Sequence, residues 1–235
     1  YLQPRKAYDA PRWLRSDREV TFGELIDYPT QLQVKGYNAA PVKLDINLPP
    51  DLFTWRKGGI PIDLKYRYTP PTHRGESRLN MSINDEYVQG YKLSSKQFKG
   101  IAEEDIKIPL LSTDDTDKDR YFTVPGFKVD IKNELAFQFI FSTEKEGACT
   151  TATPEGTIAV IDDGSTIDIS DYEHYIAMPD LHAFSQSGFP FSKFADLSET
   201  LVLMPANYSK MELETLFSLM GHMGSSTGYP AINAQ

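Results

Sequence analysis

Cysteine is almost missing from this 235-residue sequence: Cys149 stands alone. That excludes an internal disulfide and any zinc centre built on paired cysteines. It leaves Cys149 to serve as a small apolar group. Long apolar runs are missing as well, and none approaches the ~18 residues that a membrane-spanning helix needs. Positive charge is in deficit, with 24 Lys and Arg against 33 Asp and Glu and a formal net charge of -9. Such a surface repels phosphate backbones, and no basic stripe reverses the total, so nucleic acid is excluded as a partner. His73, His174, His182 and His222 are scattered without metal-ligand spacing, so neither a metal nor a cofactor is expected. The sequence begins at Tyr1 without a leader pattern and stops at Gln235 where an extended segment starts, so a fragment of a longer chain is expected.

What the sequence has in quantity is alternation. Tyr and Phe, 13 of each, lift the aromatic share to 12%, and hydrophobic residues reach 40%. That is enough for one large core or two modest ones. Residues 1–40 carry Pro4, Pro11 and Pro29 in an irregular polar pattern, with one short helical possibility at residues 21–25, and read as a linker and entry segment. From Val42 the period becomes two. Val42, Leu44, Ile46 and Leu48 alternate with Lys43, Asp45 and Asn47 until Pro49-Pro50, where a missing donor ends the strand. Ile60, Ile62, Leu64, Tyr66 and Tyr68 repeat the pattern, as do Leu79, Met81 and Ile83. Asn84-Asp85-Glu86 predicts a hairpin turn into a strand over residues 87–93. Shorter strands are predicted at 106–111, 121–124 and 127–131, the strongest at 135–141 and a last one at 157–161. Period-two strands with no helical stretch between them predict a mainly β fold, an antiparallel jelly-roll-type β-sandwich over 41–165.

Beyond residue 165 the pattern changes. Residues 166–195, rich in Pro, Gly and aromatics, read as a connecting segment. Leu201-Val202-Leu203-Met204 is a continuous apolar run, as in a strand buried on both faces. Ser209-Lys210-Met211-Glu212 is a capping box, in which the Ser hydroxyl and Glu carboxylate satisfy each other's backbone donors. Leu213, Leu216, Phe217, Met220 and Met223 follow at helical spacing, with Gly224 suited to the position just past the helix. Residues 229–232 read as the next strand. Residues 196–235 therefore predict a β-α-β unit, the truncated start of a doubly wound α/β domain of flavodoxin-like type.

No enzyme active site is predicted. Gly224-Ser225-Ser226-Thr227-Gly228 matches G-x-S-x-G, but a nucleophile elbow needs a strand before the serine and a helix after it, and here the order is reversed. Asp115, Asp117 and Asp119 alternate like calcium-loop ligands, yet Arg120 and Gly126 stand where such a loop needs Gly and Glu. No sequence context marks the facing carboxylate pair of a glycosidase. Arg74 and Arg78 share the R-x-x-x-R spacing of cyclic di-GMP receptors, but Glu76 lies between them and the downstream Asn80-Met81-Ser82-Ile83-Asn84-Asp85 lacks the glycine of that motif. A nucleotide site at Arg74 and Arg78 is the alternative reading. Aromatic side chains are the better lead, because sugar rings pack their C–H faces on Trp and Tyr. The glycan-contact candidates are Trp55 in a glycine-flanked loop, Tyr68, and His73 with Arg74 after Pro70-Pro71. The competing expectation is that Trp55 packs back onto the sandwich edge.

Several long stretches resemble one known family. Leu48-Pro49-Pro50-Asp51-Leu52-Phe53, Gly59-Ile60-Pro61-Ile62-Asp63-Leu64-Lys65-Tyr66-Arg67-Tyr68-Thr69-Pro70-Pro71, Ser165-Thr166-Ile167-Asp168, Met178-Pro179-Asp180-Leu181 and Ser187-Gly188-Phe189-Pro190-Phe191-Ser192-Lys193 are similar to the periplasmic B subunit of bacterial cellulose synthase (BcsB). The likeness runs along essentially the whole chain, and residues 1–25 resemble the enterobacterial branch. It implies an architecture in which two jelly-roll, carbohydrate-binding-like domains alternate with two flavodoxin-like domains, followed by a C-terminal membrane anchor. This chain would supply the second jelly roll and the first β-α-β of the second flavodoxin-like domain. The implied protein is a non-catalytic subunit on the periplasmic side of the inner membrane, anchored by a segment outside this chain. Its implied partners are the catalytic cellulose synthase subunit, nascent β-1,4-glucan and further copies of itself. In such systems cyclic di-GMP acts in the cytoplasm, which sets the nucleotide reading second. A flavodoxin-like fold does not imply flavin, and residues 201–232 show no flavin site.

Overall fold

The computed structural model describes residues 5–36, 39–54, 60–69, 77–93, 102–109, 129–141 and 156–235, with 102–109 described through the backbone. The strands are β1 (Val20–Thr21), β2 (Gln33–Lys35), β3 (Val42–Asn47), β4 (Leu52–Phe53), β5 (Pro61–Tyr68), β6 (Arg78–Ile83), β7 (Glu86–Lys92), β8 (Ala102–Pro109), β9 (Lys132–Ile140), β10 (Ile158–Ile161), β11 (Thr166–Ile167) and β12 (Glu173–His174). Among the described residues two α-helices follow, α1 (Leu181–Ser187) and α2 (Lys210–Thr227).

Two antiparallel sheets face each other. One has the order β3-β9-β6-β7. In the other, β5 pairs along its whole length with β8 on one side and with β10 and β11 on the other, and β2 and β1 lie beyond these. The alternation read from the sequence is the alternation of burial. Val42, Leu44 and Ile46 of β3 point inward while Lys43 and Asp45 are exposed. Ile62, Leu64, Tyr66 and Tyr68 of β5 meet Leu135, Phe137 and Phe139 of β9 in one core. Rings bridge the sheets: Tyr66 meets Phe139 edge-on at 5.8 Å between centroids, and Phe22 lies 6.0 Å from Phe137. The Asn84-Asp85 turn joins β6 to β7 with φ of 50° and 64°. Positive φ at both central residues suits a two-residue hairpin, and Asn and Asp tolerate it best after Gly.

Four expectations need correction. Residues 1–40 are not merely an entry segment. Val20, Phe22 and Leu32 are buried in the main core, and β1 and β2 extend its larger sheet. Further upstream, Ala10 and Trp13 join Ile131, Ala183, Phe189 and Ala195 in a second core that reaches into the supposed connecting segment. The proline-rich pattern hid this because these short strands owe their place to partners over a hundred residues away. Within 166–195 the structure also adds α1, capped by Asp180, whose side chain accepts from Ala183 N at 2.9 Å, and closed by Gly188 at φ 74°.

Helix α2 starts at the expected capping box, with Ser209 and Glu212 reciprocally bonded, but it ends one turn later than expected. Gly228, not Gly224, takes the left-handed position. Its helical stripe is only partly covered: Met223 is buried while Phe217 is exposed. Lastly, residues 201–204 do not form a strand buried on both faces, since Leu201 and Leu203 are 67% and 83% exposed. They do pair with the chain's last residue. Val202 N donates to Gln235 O at 2.7 Å, and Gln235 N donates to Thr200 O at 3.0 Å. Bonds that straddle one residue in this way are those of a parallel ladder, so α2 links two segments in the sense of a β-α-β unit. The predicted strand at 121–124 and the first two residues of that at 127–131 lie outside the described residues, and 129–131 are not strand, which begins only at Lys132.

Candidate functional site

Of the predicted contact residues, Tyr68 is the one the structure places firmly, and it corrects the expectation. Tyr68, the last residue of β5, is 2% exposed, with its ring 5.9 Å from that of Tyr66. A ring enclosed in that core has no face to offer a sugar. Arg78 lies on the outer face of β6, opposite Ile140 and Lys92. Trp55, His73 and Arg74 lie outside the described residues, as do Cys149 and the Asp115, Asp117 and Asp119 loop. The G-x-S-x-G segment is the last turn of α2 with its closing glycine. Ser226 Oγ donates back to His222 O at 2.6 Å, which is a helical hydroxyl and not a strained nucleophile.

The outer face of the four-stranded sheet carries a cleft of about 500 Å³. Asp45 and Asn47 of β3 and Lys132 and Glu134 of β9 form its floor, and His222 and Ser225 on the last turns of α2 form a wall. Arg12 ties the wall to the floor. Its backbone N donates to Thr227 O at 3.0 Å, its Nη1 donates to Ser225 O at 2.7 Å, and its carbonyl accepts from Asn47 Nδ2 at 3.0 Å. At the other side the hairpin turn is fastened to β9: Asn84 N donates to Glu134 O and Glu134 N donates to Asn84 Oδ1, each at 2.9 Å. Asn84 Nδ2 also donates to Asn133 Oδ1 at 3.0 Å. The volume suits a small-molecule or oligomer segment, yet the lining is amide, hydroxyl, carboxylate and cation where most ligand pockets are apolar. Such a surface exchanges hydrogen bonds with a polyhydroxylated ligand.

A smaller cavity of about 240 Å³ lies between the turn after β3 and α1. Across it His182 Nε2 meets Asp130 Oδ1 at 2.9 Å. That hydrogen bond raises the imidazole above its ordinary value. Burial alone would raise Asp130, but the bonds from His182 and Ile131 N hold it below the usual carboxylate range. Close by, the buried Asp51 carboxylate accepts from Tyr8 Oη at 2.6 Å and meets His174 Nδ1 at 2.9 Å, while the Tyr8 and His174 rings stack at 3.7 Å. Burial, then the Asp51 bond, pushes the Tyr8 phenol well up. This cluster joins three distant segments and acts as a fastening. Among the described residues no group of three or more His, Cys, Asp and Glu could hold a metal.

Sequence reasoning missed the cleft. The Asn84-Asp85 turn was visible, but only strand pairing places Asn84 against Glu134 and Asn133. Nothing local tells which helix end will stand beside β3.

Residues 19–166 match the family model described as "Cellulose synthase BcsB, second CBM domain", and residues 174–235 match "Cellulose synthase BcsB, second FD domain". The "Cyclic di-GMP-binding protein" of Salmonella typhi is 44% identical over 236 residues, covering 99% of this chain and 30% of that protein. The protein of the same name from Escherichia coli K12 matches to the same extent. "Cellulose synthase 2" of Novacetimonas hansenii is 33% identical over 236 residues, covering 100% of this chain and 14% of that protein. The chain thus spans under a third of the length of these relatives. With one model over the sandwich and its companion over the helical end, the chain belongs to the cellulose synthase BcsB family.

Proposed function

We propose that this chain is part of a non-catalytic subunit of bacterial cellulose synthase, placed on the periplasmic side of the inner membrane, and that its sandwich contacts β-1,4-glucan beside the catalytic subunit. The observation that carries the reading is the polar cleft on the outer face of a sandwich of CBM type. Glucan is uncharged and dense in hydroxyls, and the cleft offers amides, hydroxyls and carboxylates in a volume of about 500 Å³. Trp55, His73 and Arg74 are further contacts in the same reading. In the longer protein, α2 and its parallel-bonded flanks open an α/β domain. Its remaining strands cover the apolar surface of Leu201, Leu203, Met211 and Phe217, all exposed in this chain.

Nuclear magnetic resonance of the chain during titration with cellohexaose tests the reading. Shifts are expected at the side-chain amides of Asn47, Asn84 and Asn133, without release of reducing ends. A spectrum unchanged at millimolar cellohexaose refutes glucan contact. The relatives' name favours a second reading, a cyclic di-GMP module at Arg74 and Arg78. Calorimetry with that nucleotide is expected to show no heat, given the net charge of -9. Micromolar heat lost in Arg78→Ala would reverse the ranking.

A further inference from the structure

We propose that Tyr87 is a sugar-stacking platform, on which a glucan lying across the outer face of the four-stranded sheet seats one pyranose ring before entering the polar cleft. This rests on the glucan-contact reading above and adds the aromatic group that the cleft itself lacks.

Tyr87 is 64% exposed on edge strand β7. A single exposed aromatic is ordinary, but two devices build this one. The first is a bulge. Met81 pairs with Gln89 while the next residue, Ser82, pairs with Tyr87, so Val88 is the extra residue of β7. Val88 turns into the core at 5% exposure, and Tyr87 is re-aimed outward. Bulges shift side chains between faces in just this way and concentrate near sheet edges and functional sites.

The second device is Gly90. A Cβ at that position would lie 2.8 Å from the Tyr87 hydroxyl and 2.8 Å from Asn80 Oδ1. The Tyr87 side chain therefore runs along its strand, with its hydroxyl over the Gly90 backbone, and does not stand off the sheet. Only a residue without a side chain leaves room for that posture.

Most residues next to the ring on this face are uncharged. Across the sheet from Tyr87 come Ser82, Ala136 and Lys43, and in the neighbouring row Gly90, Asn80 and Gln138. Lys43 is paired with Glu134 at 2.6 Å. Mostly uncharged neighbours, with Lys43 neutralised by Glu134, suit an extended neutral polymer, and the cations Arg78 and Lys92 lie one row further on, past Asn80 and Gly90. The row ends at the cleft, since Asp45 and Asn47 are the next outward residues of β3 after Lys43. Three strand spacings separate β7 from β3, or about 14 Å at ~4.8 Å each, enough for a short oligosaccharide.

The test is the affinity of the folded chain for cellohexaose, read by calorimetry in Tyr87→Ala, Tyr87→Phe, Tyr87→Trp and Gly90→Ala, with melting temperatures as the check on folding. Stacking needs the ring and not the hydroxyl. Tyr87→Ala should weaken binding about tenfold or more, while the Phe and Trp variants stay within about twofold. Gly90→Ala should weaken binding as well, by lifting the ring. Wild-type affinity in Tyr87→Ala would overturn this inference and leave the glucan reading standing. Absence of binding in the wild type would overturn both.

Discussion

Asp51→Ala should be one of the most damaging single substitutions outside the apolar core. The Asp51 side chain is 7% exposed and follows Pro49-Pro50 at the end of β3. Its carboxylate holds the Tyr8 hydroxyl at 2.6 Å and His174 Nδ1 at 2.9 Å, and its backbone carbonyl accepts from Tyr175 N at 2.6 Å. A hydrogen bond to a charged group contributes roughly 1.5–3 kcal/mol, and a buried partner left unmatched adds its own desolvation. Losing two such bonds should cost about 3–5 kcal/mol. Asp51→Asn, which keeps one carbonyl acceptor, should cost about 1–2 kcal/mol. Asp17→Ala is the internal control. Its bidentate bond to Arg15 is equally short, but the Asp17 side chain is 60% exposed, so less than ~1 kcal/mol is expected. Urea unfolding followed by circular dichroism gives all three values from midpoints at constant slope. If Asp51→Ala falls within about 1 kcal/mol of wild type, alongside the control, the fastening role assigned to this cluster is wrong.

The glycine that closes α2 and one inside it should respond with opposite sign. Gly228 has φ 72°, and a Cβ there would lie 2.7 Å from Arg12 Cγ, so Gly228→Ala should lose about 1–3 kcal/mol. At Gly221 an added Cβ would meet nothing within 4 Å outside the backbone of its own helix, so Gly221→Ala should gain about 0.5–1 kcal/mol from helix propensity. Thermal melts that moved both the same way would contradict this placement of the helix end. The His182–Asp130 pair should show in a proton titration. With His182 raised above 6.5 and Asp130 held below 3.8, the link is complete between those titrations. It is lost as pH rises through the raised imidazole pKa, and again as pH falls through the depressed carboxyl pKa. Both side chains are at least half exposed, at 59% and 50%, so nuclear magnetic resonance and not stability is the useful readout. The His182 midpoint should fall back toward 6.5 in Asp130→Asn, and an unchanged midpoint would refute the coupling.

Strand content was legible because a half-buried strand writes its period into the residues. Ile62, Leu64, Tyr66 and Tyr68 alternate in sequence and are all buried. That same count places Tyr68 inside, so the signal against it as a sugar contact was already present. Tyr87 shows where counting fails. By twos it belongs with Gln89, Tyr91 and Leu93, on the inward side, and a bulge no local pattern announces turns it out. The start of α2 was legible because Ser209 and Glu212 are neighbours in sequence. Its end was not, because Gly224 and Gly228 offer equal chemistry and the docking of Arg12 on Ser225 and Thr227 selects between them.

The sequence alone determined the antiparallel β class, the faces of the long strands, the helix over the last quarter and the family likeness. All of these rest on residues close together in the chain or on long matching stretches. The tertiary structure decided that residues 10–35 belong to the cores, that the outer face of one sheet carries a polar cleft, and that Tyr87 stands on it. Those features depend on register and on contacts such as Arg12 with Ser225, 213 residues apart. Hydrophobic period records which way a side chain points, but not which distant segment it will meet.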